Sequence, residues 1–180
     1  VYKEYISLDN ALKNFFPKAS TIDSKTIPLD LELKKTLIRR SHQDISFDRV
    51  TLHYAYKEDT FLGYAIVLNE LGKHYPITFI TKISADFKID DMAVMIYREL
   101  YGAEVRKKRF LRQFFGKTSQ DELIVDQTIT GISGATISCW SLSRGAKLAL
   151  IIVEELARDA SKVKQEHRLE DKLEGTLHDG

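Results

Sequence analysis

Apolar positions at helical spacing open the chain. Leu8, Ala11, Leu12, Phe15 and Phe16 follow Ser7, a good capping residue, and Pro17 closes the pattern. A second helix is expected over residues 29–43 through Leu31, Leu33, Leu37 and Ile38. The period then changes from helical to alternating. Leu52, Tyr54 and Tyr56, then Leu62, Tyr64, Ile66 and Leu68, then the run 75–83 each read as a strand. Gly72-Lys73 and residues 84–91 read as turns, and Met92 to Tyr97 as a further strand. Short polar turns between strands imply hairpins. Residues 104–115 read as a helix.

The clearest pattern runs from Ser138 to about Ala160. Leu142, Ala146, Leu150, Val153 and Ala157 step by four and three, and Ala149, Ile152 and Leu156 widen the stripe, so this helix is expected to lie on the sheet. The fold class is therefore α+β: a largely antiparallel twisted sheet with packed helices and a C-terminal helix following the Ser133-Gly134-Ala135-Thr136 loop. Beyond Ala160 the chain is mostly charged, which reads as a frayed helical extension or a disordered tail. No internal repeat or low-complexity segment interrupts this order.

Composition changes the picture mainly by exclusion. A chain of 180 residues with 43% hydrophobic content suits one domain with a sizeable core. Lys plus Arg number 27 against 26 Asp plus Glu, and a net charge of +1 gives no general pull toward nucleic acid or anionic membrane. Cys139 is the single cysteine, which excludes an internal disulfide and a cysteine-based zinc cage. No apolar run reads as a membrane span, and Val1-Tyr2-Lys3-Glu4 does not read as a signal peptide.

Catalytic motifs fare little better. Gly116-Lys117-Thr118 resembles the end of a phosphate-binding loop, but Leu111 stands where that motif needs its first glycine. The histidines His42, His53, His74, His167 and His178 are never spaced as metal ligands on one helix face, so solvated or core roles fit them better. Glu58-Asp59 and Asp90-Asp91 sit in expected turns, where carboxylates are common. Arg106, Lys107, Lys108, Arg109 and Arg112 interleave with Phe110, Phe114 and Phe115, as in a strip that tracks a phosphate backbone. On a helix, however, Val105, Phe110, Leu111, Phe114 and Phe115 would face the core while the basic groups stay in water. Nucleic acid is not an expected partner.

The stretch Thr128 to Trp140 holds the strongest chemistry. Gly131 and Gly134 permit a tight turn and close backbone approach, and the following helix aims its unpaired amides and positive dipole end at the same place. Ser133, Thr136 and Ser138 add hydroxyls, and a threonine hydroxyl can be esterified by phosphate. The same residues also make an ordinary helix cap.

Ser133-Gly134-Ala135-Thr136-Ile137-Ser138 resembles the flavinylation motif of the FMN-binding domain family. That family includes the C subunit of sodium-translocating NADH:quinone reductase, the G subunit of the Rnf complex and the flavin domain of nitrous-oxide-reductase regulators. Further segments occur in the family's order: Gly63-Tyr64-Ala65, Gly72 to Phe79, Tyr97 to Val105 and Phe110 to Lys117, together covering about residues 50–150. The resemblance implies FMN joined through its phosphate to Thr136, with Ser133, Gly134, Ala135, Ile137 and Ser138 around the phosphate. It places the flavin ring toward the turn Lys73 to Pro76, with His74 and Tyr75, and toward the segment Tyr97 to Gly102, with Leu100, Gly102 and Glu99, the last as a polar contact to the ring. It implies electron carriage, redox partner proteins at a membrane, a flavin transferase for maturation, and a periplasmic or extracytoplasmic setting with a removed signal or an anchor outside this chain. Its domain division is 1–45 as an N-terminal helical segment on the core, 46–160 as the FMN-binding domain and 161–180 as a charged tail. Two positions depart from the family. Thr130 stands six residues before Thr136 where an aspartate is usual, the nearest preceding aspartate being Asp126, and Cys139 replaces a common serine. A non-covalent flavin or phosphate-binding module, and an interaction protein with only a helix cap here, are the competing readings.

Overall fold

The computed structural model describes residues 2–177, with side chains through residue 173. Six strands form one sheet in the order β1-β6-β5-β4-β3-β2, with β1 Lys3–Glu4, β2 Thr21–Pro28, β3 Arg49–Lys57, β4 Thr60–Leu71, β5 Pro76–Ile83 and β6 Ile89–Tyr97. Every pair in it is antiparallel. Four helices accompany it: α1 Leu8–Phe15, α2 Leu31–Ser41, the short α3 Lys108–Leu111, and α4 Thr136–Leu177.

Side chains cap the first two helices. The Ser7 hydroxyl accepts from the Asn10 amide at 3.3 Å and starts α1, while Asp30 accepts from the Leu33 amide at 2.8 Å and starts α2. α1 buries Ala11, Leu12 and Phe15 against Ala55, Ala65, Ile80 and Met95 on one sheet face. The other face carries the larger core, where α2 and α4 cover Leu52, Ile66, Phe79 and Met92. The sheet is thus a middle layer, buried on both sides.

α4 is buried on more than one flank, because Leu148 to Val153 sit between the sheet and α2. By length and composition alone it passes as a membrane span, but 72% of its apolar stretch is buried inside the fold. That is the property of a core helix. Arg40 of α2 clamps it, with bonds of 2.8 Å to both Glu154 and Glu155.

Two sequence expectations need revising. Residues 104–115 are not one helix: a 3-10 turn Ala103–Arg106, then α3, then a second 3-10 turn Arg112–Phe114 break at Lys107, whose backbone is extended at ψ 137°. The break lets Val105, Phe110, Leu111 and Phe114 all reach the core. The turn 84–91 is shorter than expected, since Ile89 already pairs with Ile83 and exchanges backbone bonds with Gly116 and Lys117, so Asp90-Asp91 lie in β6. β2 carried no expectation at all. Beyond Ala160 the chain continues as helix to Leu177, exposed through residue 173, and His178 lies outside the described residues.

Candidate functional site

A cleft of about 700 Å³ opens at the start of α4, well within the roughly 300–1,000 Å³ usual for ligand sites. Three chain segments meet there: the β4–β5 turn with Lys73, His74 and Tyr75, the stretch Arg98 to Gly102 after β6, and Gly134 to Ser138. Every candidate residue from the sequence lines it except Ser133, which is exposed beside it.

The loop before α4 is held from behind. The Gln113 side chain donates to the Thr130 carbonyl at 3.0 Å and accepts from the Thr130 amide at 2.7 Å, clamping that backbone in both directions. Gly131 is crowded, since a Cβ there would stand 3.1 Å from both Asp126 Oδ1 and Val125 Cγ1 and push these side chains aside. Gly134 is different. Its φ is +80° and nothing lies within 4 Å of a would-be Cβ, so the backbone here faces open space on the cleft side. Ala135 is buried and its carbonyl accepts from the Cys139 amide at 3.0 Å, the first bond of the helix. The amides of Thr136, Ile137 and Ser138 precede that bond and have no partner within the helix. Thr136 and Ile137 are exposed at this end, where the dipole favours an anion.

Ser138 behaves otherwise than its hydroxyl suggested. It is buried and lies 2.7 Å from the Tyr97 hydroxyl, which in turn lies 2.5 Å from the Tyr101 carbonyl. A carbonyl only accepts, so Tyr97 donates its one proton to Tyr101 and Ser138 donates to Tyr97. Burial pushes the Tyr97 phenol up, against the Ser138 bond, which keeps it a donor. Gly102, at φ +94°, closes over this pair.

Glu99 makes no ion pair with a neighbouring Lys or Arg among the described residues. Its Oε1 accepts from the His74 amide at 2.5 Å and the Tyr75 amide at 3.0 Å, fixing the β4–β5 turn against the segment after β6. Slight burial acts to raise its carboxyl, but those amides, the His74 charge and the Lys73 amide outweigh it and hold the group below its usual range. Tyr75, Leu100 and Ile137 are exposed at 55%, 72% and 47%, so the rim is apolar as well as cationic.

Sequence reasoning missed Gln113, and it gave Tyr97 and Arg98 no role beyond membership of the segment Tyr97 to Gly102 expected near the ring. Arg98 donates to the Pro76 carbonyl at 2.7 Å and to Thr78 Oγ1 at 3.0 Å, bracing the same turn that Glu99 holds. Part of the basic cluster is occupied within the fold: Lys108 contacts Asp91 and the Met92 carbonyl, and Arg106 lies over the Tyr5 ring at 4.6 Å. Cys139 is buried and its thiol is pushed up by burial, which makes it inert.

No protein-family model matches the chain, and no curated protein matches its sequence. Among solved structures the fold is similar to that of Shewanella oneidensis NqrC, with a TM-score of 0.55 and 12% identity, over 82% of this chain and 89% of that one. At that identity the likeness shows a shared fold.

Proposed function

We propose that the chain is a flavoprotein electron carrier that holds FMN in the cleft at the start of α4, through a phosphoester to Thr136. The observation that carries this reading is the placement of the exposed Thr136 at the first turn of α4, beside the open Gly134 backbone and a cleft of about 700 Å³. The donor set fits the group. Unpaired amides of Thr136 to Ser138 and the helix dipole suit a phosphate, and the half-apolar rim of Tyr75, Leu100 and Ile137 suits a flat ring system. The likeness of fold to NqrC supports the same reading as the sequence motif, which resembles the C subunit of the sodium-translocating reductase.

Bound FMN would supply the redox chemistry, accepting and passing on electrons. The protein's own contribution is to bind and orient. Gly134 to Ser138 hold the phosphate end, while Glu99 fixes His74 and Tyr75 and Gly102 lets the wall after β6 come close. Ser138 acts from beneath, through Tyr97. The partners are redox proteins at a membrane on the extracytoplasmic side, and maturation needs a flavin transferase.

Thr130 favours a second reading, a non-covalent flavin or phosphate-ligand module. Its backbone is pinned by Gln113 and it offers no carboxylate at the position where the family has one. Expression beside a flavin transferase separates the two. The favoured reading expects flavin absorbance that survives denaturation, an intact mass raised by one FMN, and loss of both in Thr136→Ala. Colour lost on denaturation supports a non-covalent flavin, and a colourless native protein removes both flavin readings.

A further inference from the structure

The middle of α4 lines a second cleft, of about 500 Å³. Thr136 and Ala157 are separated by roughly 30 Å of helix at 1.5 Å per residue. The two clefts therefore cannot share a ligand.

One wall is aromatic. Tyr54 and Tyr56 from β3, Phe61 and Tyr64 from β4, and Phe87 from the β5–β6 turn line it. Tyr64 is central: its ring centroid lies 4.7 Å from Phe61, 5.6 Å from Tyr54 and 6.0 Å from Phe87, the last with planes only 16° apart. Phe87 reaches this place with φ at +63°, a conformation uncommon for a bulky residue. The Ser84 hydroxyl, which accepts from the Lys88 amide at 3.1 Å, fixes the turn that puts it there. The facing wall is small, since α4 presents Ala157, Ala160 and Ser161 rather than the large residues of its core stripe.

The polar groups around these rings are donors and cations. Arg158, which also pairs with Glu155 at 3.4 Å, and Lys164 flank the cleft, and Lys25 lies over the Tyr54 ring at 5.4 Å. The carboxylate present, Glu154, is already matched by Arg40 at 2.8 Å and Ser119 at 2.6 Å. Among the described residues Lys164 forms no ion pair, and the hydroxyls of Tyr54, Tyr56 and Tyr64 make no hydrogen bond. Burial pushes the Tyr54 and Tyr64 phenols up, so they remain protonated donors at neutral pH.

We propose that this second cleft binds a planar aromatic anion, with its ring against the Tyr54, Tyr64 and Phe87 wall and its charged group toward Arg158 and Lys164. Ring–ring contact and charge-assisted hydrogen bonding each need one half of such a ligand. A neutral ring leaves Lys164 unmatched, and a small inorganic anion leaves the aromatic wall bare. An aromatic acid and a nucleotide both carry this chemistry.

The test is a fluorescence titration of the full chain with anilinonaphthalene sulfonate. Binding at this cleft is expected to be weakened about tenfold or more by Ala157→Trp and Ala160→Trp and severalfold by Lys164→Glu. Ala160 is exposed, so its tryptophan variant keeps the fold even where Ala157→Trp does not. The uncharged dye N-phenylnaphthylamine is expected to bind about tenfold more weakly. Displacement by adenosine monophosphate points to a nucleotide as the occupant, and displacement by benzoate alone to an aromatic acid. The proposal is overturned if Ala160→Trp leaves affinity intact, if the uncharged dye binds equally well, or if neither competitor displaces the probe.

Discussion

Gly102 carries a demand that no other residue type meets. Its φ is +94°, and a Cβ there would stand 2.5 Å from the Tyr97 hydroxyl and 2.7 Å from Ser138 Oγ. Both hydroxyls are held in a buried chain, so they cannot swing aside at little cost. Gly102→Ala is therefore expected to lower stability by roughly 1–3 kcal/mol, the range of an overpacked site, and to weaken flavin retention; urea unfolding and flavin absorbance check the two effects. His53 makes a different prediction. It is 3% exposed and burial lowers its imidazole, while Nδ1 sits 2.6 Å from the Ser24 hydroxyl on β2. The folded state then binds fewer protons than the unfolded one, so stability is present above the unfolded imidazole value of about 6.5 and falls as pH drops through and below it. Urea midpoints measured between pH 8 and 5 (roughly the range in which imidazole titrates) should decline, and His53→Asn should flatten the curve. A wild-type midpoint that stays level would remove His53 from the acid response.

Among the elements, α4 ties the fold to the site. Its close approach to the sheet is set at Gly145, where a Cβ would meet Phe79, 2.7 Å from Cε1, and Glu70 Cγ at 2.9 Å. Alanine is the better helix former by about 1 kcal/mol. The clash is expected to win, because Phe79 is fully buried and has nowhere to move, and overpacking costs roughly 1–3 kcal/mol. Gly145→Ala should lower the melting temperature; a rise would mean that α4 shifts freely on the sheet. The helices that were legible, α1, α2 and α4, each show apolar residues at helical spacing and, in α1 and α2, a side-chain cap. Residues 104–115 show apolar spacing too, yet they break at Lys107 because their apolar groups serve several neighbours instead of one face. β2 was illegible for the opposite reason. It is an edge strand, mostly exposed on both faces, so its side chains show no alternation and only its backbone pairing with β3 defines it.

The molecule as a whole is a three-layer core from which the end of α4 projects. Residues 161–173 are exposed throughout, with no burial to stabilise the body. A chain ending at Ala160 is expected to unfold within about 1 kcal/mol of the full chain and to retain flavin, while losing the Ser161 and Lys164 side of the second cleft. A larger loss of stability, read by urea unfolding, would mean that this extension supports the core. The sequence by itself determined the periods, the caps and the small-residue loop before α4, because each of these is written within a few consecutive positions and depends on local backbone geometry. It also determined which residues carry hydroxyl, carboxyl and amide groups near that loop. Tertiary structure alone decided how those groups are used. Ser138 turns inward to Tyr97, 41 positions away, and Glu99 serves the amides of His74 and Tyr75 on another turn, so the cleft is left to Thr136, backbone amides and an apolar rim. Such pairings arise only when the sheet and α4 pack together, and the choice of partner follows from that packing instead of from the spacing of residues along the chain.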